Sequence, residues 1–227
     1  MKIHRFYVPD AALEQDFWFK HKDILNQWVK VLRFRPGQQV VLFDGVQHDK
    51  LYRITELTAR EAHLEHMTDY QRQLPKKNIY LFWALLKKDK NDWVLQKATE
   101  LGVSHFIPLL ADRSEKTGFN IERARKIVIE AAEQCGRSDI PAIRDAMHVA
   151  KALEQYHDKA TLYICEQDSG EAQLATDDLG VFIGPEGGWS DAEKQLFKEQ
   201  NMHHVNLHDF TLRAETACIT AVSRLIQ

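Results

Sequence analysis

Cysteine, glycine and long apolar runs are all scarce in this chain of 227 residues. Its three cysteines, Cys135, Cys165 and Cys218, are odd in number, far apart and without CxxC spacing, which speaks against a disulfide or zinc framework and leaves reduced core thiols as the expectation. No stretch approaches the roughly 18 to 20 apolar residues of a membrane span. Met1 to Asp10 carries Lys2, Arg5 and Asp10 and lacks the apolar core of a signal peptide, so a cytoplasmic protein without a membrane partner is expected. No Lys-Ser/Thr pair follows a glycine loop and no GxGxxG spacing occurs, which weakens nucleoside triphosphate and dinucleotide readings. What is present is a hydrophobic content of 44% at a length that can bury a sizeable core, as one large domain or two small ones.

The net charge of −3 argues against a nucleic-acid partner only as a mean. Residues 72–151 hold 15 Lys and Arg against 10 Asp and Glu, a net +5, while residues 152–215 hold 4 against 13, a net −9. A basic middle section of that kind suits phosphates while the acidic section faces elsewhere. Charge alone fits solvated helix faces as well.

Residues 1 to about 70 read as mostly β. His4 to Val8 is short and extended, Gln39 to Phe43 is an apolar run closed by Asp44-Gly45, and Leu51 to Leu57 and Ala62 to Met67 partly alternate. Between His21 and Arg33, the spacing of Ile24, Leu25, Trp28, Val31 and Leu32 predicts one helix, ended by Pro36-Gly37. A small barrel is the expected result. The polar stretch from Tyr70 to Asn78, with Pro75 between charged neighbours, marks a boundary, placed so that 1–72 and 73–227 are separate domains. Beyond it, Ile79 to Leu86, His105 to Leu110, Thr161 to Cys165, Gly180 to Ile183 and His203 to Leu207 read as strands covered on both faces. Helical patterns at about 91–101, 121–135, 148–157, 190–200 and 213–226 alternate with them, which predicts an α/β fold with a largely parallel sheet.

Three of the ten glycines fall within Gly184-Pro185-Glu186-Gly187-Gly188-Trp189-Ser190, directly after an apolar strand. Such a loop lets the backbone turn sharply and approach a ligand, although a plain tight turn also explains it. Ser190 and Glu193 have capping-box spacing, so the loop should end on a helix N-terminus whose amides suit a carboxylate or phosphate. In the last helix, Ala214, Ala217, Cys218, Ala221, Val222 and Leu225 form an apolar stripe, which leaves Arg213, Glu215 and Thr216 off it or at its edge.

Together, Gly184 to Ser190, Leu212 to Thr216 (LRAET), Lys97 to Gly102 (KATELG) and Glu130 to Arg137 (EAAEQCGR), joined by His4 to Val8, His21 and Val31 to Arg33, resemble the RsmE family of ribosomal RNA methyltransferases over nearly the whole chain. The resemblance implies a PUA-like β-barrel that binds RNA over 1–72 and a SPOUT methyltransferase domain over 73–227, with a carboxy-terminal trefoil knot and a homodimeric state. It implies S-adenosylmethionine as cofactor and methylation of N3 of a uridine in the decoding region of 16S ribosomal RNA, free or in the small ribosomal subunit. By the same likeness Gly184, Gly187 and Gly188, with Ile183 and Pro185, would contact the adenosyl group, and Leu207 and Leu212 would line its apolar side. Arg213 would hydrogen-bond a uracil carbonyl as negative charge develops, its competing role being a salt bridge with Glu215 or Glu186. Glu215 would orient Arg213 or accept the proton, and Thr216 would touch cofactor or cap the final helix. His208 stands where the family usually has glycine, which puts the local pocket shape in doubt.

Candidate phosphate contacts are Arg5, Arg33, Arg35, Lys87, Lys88, Lys97, Arg113, Lys116 and Arg137. Trp93 and Trp189 are candidates to stack on a flipped base, with Trp93, near Leu95 and Leu101, reading first as core. His204 and His208 would share a strand face with Asp209 following, yet too few ligands accompany them and no metal is expected. A non-catalytic RNA-binding module and an anion-binding hydrolase or phosphotransferase are the alternative classes.

Overall fold

The computed structural model describes residues 3–9, 13–115, 118–166 and 177–226. The chain divides into two compact units, Met1–Leu74 with Ala132–Ile140, and Pro75–Ala131 with Pro141–Gln227. A single cut in the sequence assigns residues 132–140 to the second part instead.

The first unit contains β1 (His4–Tyr7), β2 (Asp16–Phe19), α1 (Lys22–Asn26), a π-helical turn (Gln27–Val31), β3 (Gln39–Phe43), β4 (Asp49–Leu57) and β5 (Ala62–Asp69). The sheet order is β1-β3-β4-β5-β2, with β1 parallel to β3 and the other pairs antiparallel. Among the described pairings β1 and β2 are the two edges, so the strands form an open path where a barrel was expected. The core gathers Phe6, Phe19, Leu25, Trp28, Val40, Leu42, Tyr52, Ile54 and Leu64. The π turn, with Leu32 N–H donating to the Gln27 carbonyl, lies where a regular helix was expected and carries the fully buried Trp28.

The second unit contains β6 (Asn78–Ala84), α2 (Lys88–Glu100), β7 (His105–Leu110), α3 (Ile121–Cys135), whose final residues belong to the first unit, β8 (Ala142–Ile143), β9 (Met147–His148), α4 (Val149–Tyr156), β10 (Thr161–Cys165), β11 (Asp178–Ile183), α5 (Asp191–Glu199), β12 (His203–Val205) and α6 (Ala214–Leu225). The order β12-β10-β11-β6-β7-β8, with β9 also on β7, is parallel at every described pairing. The parallel α/β architecture follows from the near-continuous apolar strands, which need cover on both faces. At the centre Phe82 of β6 stacks on Phe182 of β11 at 4.2 Å. The chain leaves β6 toward β7 on one side and reaches β11 on the other, so the carboxyl ends of β6 and β11 flank a switch point of the kind where open α/β sheets bind ligands. After the edge strand β12 the chain returns, and α6 packs on α2, β6 and β11 through Ala214, Cys218, Ala221, Val222 and Leu225.

Candidate functional site

The loop leaving β11 is shaped by its own residues. Gly188 has φ +69°, a left-handed conformation that a β-branched side chain does not tolerate, and its N–H donates to the Pro185 carbonyl at 2.8 Å. Gly184 is required for a different reason: a Cβ there would lie 3.0 Å from the Trp189 indole. The missing side chain thus makes room for Trp189, not for a ligand. Trp189 is 4% exposed and packs edge-on against Phe197 of α5 at 4.9 Å, so it is core and unavailable to a flipped base. Trp93 is 42% exposed, which corrects the expectation that it is core: α2 buries Val94, Leu95 and Ala98 and turns Trp93 outward.

The capping box at α5 is formed. Ser190 Oγ accepts from Glu193 N–H, and Glu193 Oε2 accepts from Ser190 N–H at 2.8 Å. Ser190 Oγ also donates to Asp112 Oδ2 at 2.5 Å, while buried Glu193 accepts from Asp112 N–H at 3.0 Å. These carboxylates already answer the positive end of α5. The helix N-terminus expected to receive a ligand anion is therefore occupied by the protein's own acids, and it anchors the loop instead. Arg113 adds a second anchor, its Nη1 donating to the Gly187 carbonyl at 3.1 Å.

Opposite the loop runs the segment from Asn206 to Arg213, and the two line one cavity of about 780 Å³. Of the residues singled out in the sequence, Ile183, Gly184, Pro185, Gly187, Gly188, Leu207, Leu212 and Arg213 are on its wall. Glu215 and Thr216 are not, although Ala214 and Ala217 on either side of them in the first turn of α6 are. Arg213 is the N-cap residue of α6, is exposed, and its guanidinium makes no hydrogen bond or ion pair among the described residues. Glu215 is paired with Lys90 at 3.2 Å, so it orients Lys90 where Arg213 was expected. The same Lys90 Nζ donates to Glu186 Oε1 at 2.7 Å. Its hydrogen bond holds the Glu186 carboxyl below the usual carboxylate range, and Glu186 in turn raises the Lys90 ammonium.

His208 does line the cavity, and Phe210, 75% exposed, stands beside it with the rings 5.3 Å apart. Cys165 is also on the wall, where burial pushes its thiol up to about 12; it stays protonated at neutral pH and offers neither a nucleophile nor a base. His204 Nδ1 pairs with Glu166 at 3.0 Å, and β12 ends at Val205, so His204 and His208 do not share a strand face.

Among the expected phosphate contacts, Arg5 and Arg137 are corrected. Their side chains are 8% and 6% exposed, Arg5 on Asp49 and Arg137 on Asp139 at 2.6 Å, and a guanidinium so enclosed has no face for a backbone phosphate. Arg5 and Ser138 both donate to Asp49, so Arg5 and the segment that follows Arg137 help to hold this unit together. Lys97 is paired with Glu100 at 2.9 Å on a solvent face. Arg33, Arg35, Lys87, Lys88 and Arg113 are exposed, while Lys116 lies outside the described residues. Lys90 and Asp112 are the contributors that the sequence reading passed over. Lys90 lies in a lysine-rich run that reads as surface charge, and Asp112 is separated from Ser190 by 78 positions.

An RNA methyltransferase domain model matches residues 72–226, and an RNA methyltransferase PUA domain model matches residues 29–65. The chain is 30% identical over 234 residues to the ribosomal RNA small subunit methyltransferase E of Rickettsia conorii, covering 99% of this chain and 96% of the relative. It is 30% identical over 217 residues to that of Bacillus subtilis, covering 87% and 84%. Among solved structures, ribosomal RNA small subunit methyltransferase E of Neisseria gonorrhoeae bound to S-adenosyl methionine superposes with a TM-score of 0.88 at 28% identity, over 99% of this chain and 97% of that one. A Legionella pneumophila putative methyltransferase with bound cofactor SAM gives 0.88 at 26% identity, over 99% and 97%.

Proposed function

The chain belongs to the ribosomal RNA small subunit methyltransferase E family, and on that premise we propose that it transfers the methyl group of S-adenosylmethionine to N3 of one uridine in the decoding region of 16S ribosomal RNA within the small subunit. The observation that carries this reading is the single cavity shared by the glycine loop and the arginine-bearing segment. Its volume of about 780 Å³ falls in the range of small-molecule sites, roughly 300–1,000 Å³. Its wall is mixed as a nucleoside requires: Ile183, Leu207, Leu212, Ala214 and Ala217 are apolar, and the exposed peptide groups of Gly187 and Gly188 are polar.

When bound, S-adenosylmethionine supplies a methyl group already activated by its sulfonium. The chain has to hold a uracil beside it and ease the loss of the N3 proton. Ile183, Leu207 and Leu212 hold the adenosyl part and exclude water from that side. Arg213, unpaired by the protein, donates to a uracil carbonyl and stabilises the negative charge that spreads from N3 to oxygen as the proton leaves. Glu215 is engaged by Lys90 and lies off the wall, so the proton is not assigned to it. The exposed Lys87 and Lys88, and Arg33 and Arg35 in the PUA-like domain, are assigned to RNA phosphates. Family membership also supports a homodimer acting in the cytoplasm. The return of α6 from the edge strand to the central strands supports a knotted carboxy terminus.

Titration calorimetry of the purified protein with S-adenosylmethionine and S-adenosylhomocysteine tests the cofactor assignment. One site per chain for each is expected, and a folded protein that binds neither overturns it.

A further inference from the structure

We infer that Lys90 is a positioning residue for methyl transfer: by engaging Glu186 of the glycine loop and Glu215 of α6 at once, it keeps both carboxylates off Arg213 and leaves that guanidinium open to substrate. The inference rests on the cavity being the methyl-transfer site.

Lys90 Nζ is 2.7 Å from Glu186 Oε1 and 3.2 Å from Glu215 Oε2, so one ammonium spans two elements that are far apart in sequence. An ammonium has three donors and no acceptor, which suits it to serve two carboxylates at once. The Lys90 and Glu215 side chains are only 19% and 17% exposed, so this pair is not an incidental solvent contact. Arg213 sits two residues before Glu215 and lies within electrostatic reach of Glu186, whose carboxyl it helps to hold ionised. Guanidinium and carboxylate match in a planar, bidentate geometry, and either acid would capture Arg213 if it were released. An Arg213 so captured is spent on the protein and cannot stabilise charge on a uracil. The arrangement therefore resolves a conflict built into the sequence: the segment carrying the reactive arginine also carries an acid beside it, and the loop facing it carries another. Lys90, from a third element, engages both.

The test compares the full-length wild type with Lys90→Met, Lys90→Arg, Glu186→Gln and the double variant Lys90→Met/Glu186→Gln. S-adenosylmethionine affinity is read by calorimetry and turnover by labelled methyl transfer to small ribosomal subunits lacking the modification. Lys90→Met is expected to lower kcat by on the order of tenfold to a hundredfold, with cofactor Kd changed by less than about threefold. Lys90→Arg should retain most of the turnover. Adding Glu186→Gln to Lys90→Met should recover part of the lost kcat, since one captor of Arg213 is gone. A role limited to holding the loop on α6 predicts no recovery, because Lys90→Met has already broken the bridge that Glu186 completes. Wild-type turnover in Lys90→Met, parallel losses of kcat and affinity, or no recovery in the double variant would each overturn the inference. If Lys90→Met fails to fold, a Lys90→Arg variant that folds, binds cofactor and loses turnover does the same. A wild type that binds cofactor and transfers methyl while Lys90→Met matches it sinks this inference alone; a wild type that binds no cofactor sinks the functional reading beneath it.

Discussion

Arg213 and Gly188 carry the two halves of the proposed chemistry, and their environments predict different failures. Arg213 is exposed at the cavity edge and is not used by the protein to hold itself together. Arg213→Ala should therefore fold normally, bind S-adenosylmethionine within a few-fold of wild type, and lose turnover by on the order of 100-fold, as measured by calorimetry beside steady-state methyl transfer. Equal losses of affinity and turnover would contradict the role given to it. Gly188 fails through the backbone. At φ +69° a valine costs roughly 1–3 kcal/mol, even though a Cβ there meets nothing within 4 Å, so the loop is expected to relax by changing shape. Gly188→Val should abolish detectable cofactor binding while the protein stays folded by circular dichroism; unchanged affinity would show that the turn does not form the binding surface.

At the level of elements, the loop is set by its cap. Ser190 satisfies an amide of α5 and also reaches Asp112 in the turn after β7, so Ser190→Ala should cost about 1 kcal/mol or somewhat more in urea unfolding and should weaken cofactor binding by loosening the loop. A variant with wild-type stability would remove the cap from the account. The capping box was legible because it is local, three residues apart, and so were β7, β10 and α3, whose bounds come from apolar runs and helical spacing. The edge strand β2 was not: Asp16–Phe19 is four residues long, half exposed, and defined only by pairing with distant β5. The two-residue strands β8 and β9 likewise exist only through β7. The two tryptophans are placed by contacts of the same long-range kind: Trp93, expected in the core, is exposed, and Trp189, left open between core and base stacking, is buried. Which face of α2 is buried is decided by its packing on α6, and the slot for Trp189 is made by the absent side chain of Gly184. The apolar stripe of α6 was readable from its spacing, while the partner of Glu215 was not, since Lys90 lies 125 positions upstream.

Taken as a whole molecule, the chain keeps its basic section, net +5 over residues 72–151, apart from an acidic one, net −9 over residues 152–215. The cavity draws its walls mostly from the acidic section, which suits a cationic sulfonium, and the exposed lysines that precede and open α2 belong to the basic one. On the proposed reading these charges sort the two substrates, cofactor and RNA, to different surfaces. The polar stretch from Tyr70 to Asn78 and the alternation of strand and helix patterns beyond it made a two-part α/β protein legible, and the motif set pointed to its family; the knot and the homodimer proposed from that family leave no periodic trace in sequence. The central claim, that this cavity brings an adenosyl sulfonium to a uracil, is tested most directly by incubating the protein with labelled S-adenosylmethionine and small subunits from cells lacking it, followed by nucleoside mass analysis. One label per subunit, recovered as 3-methyluridine, is the predicted result. Label in any other nucleoside, or none from a protein that is folded and cofactor-bound, would contradict it.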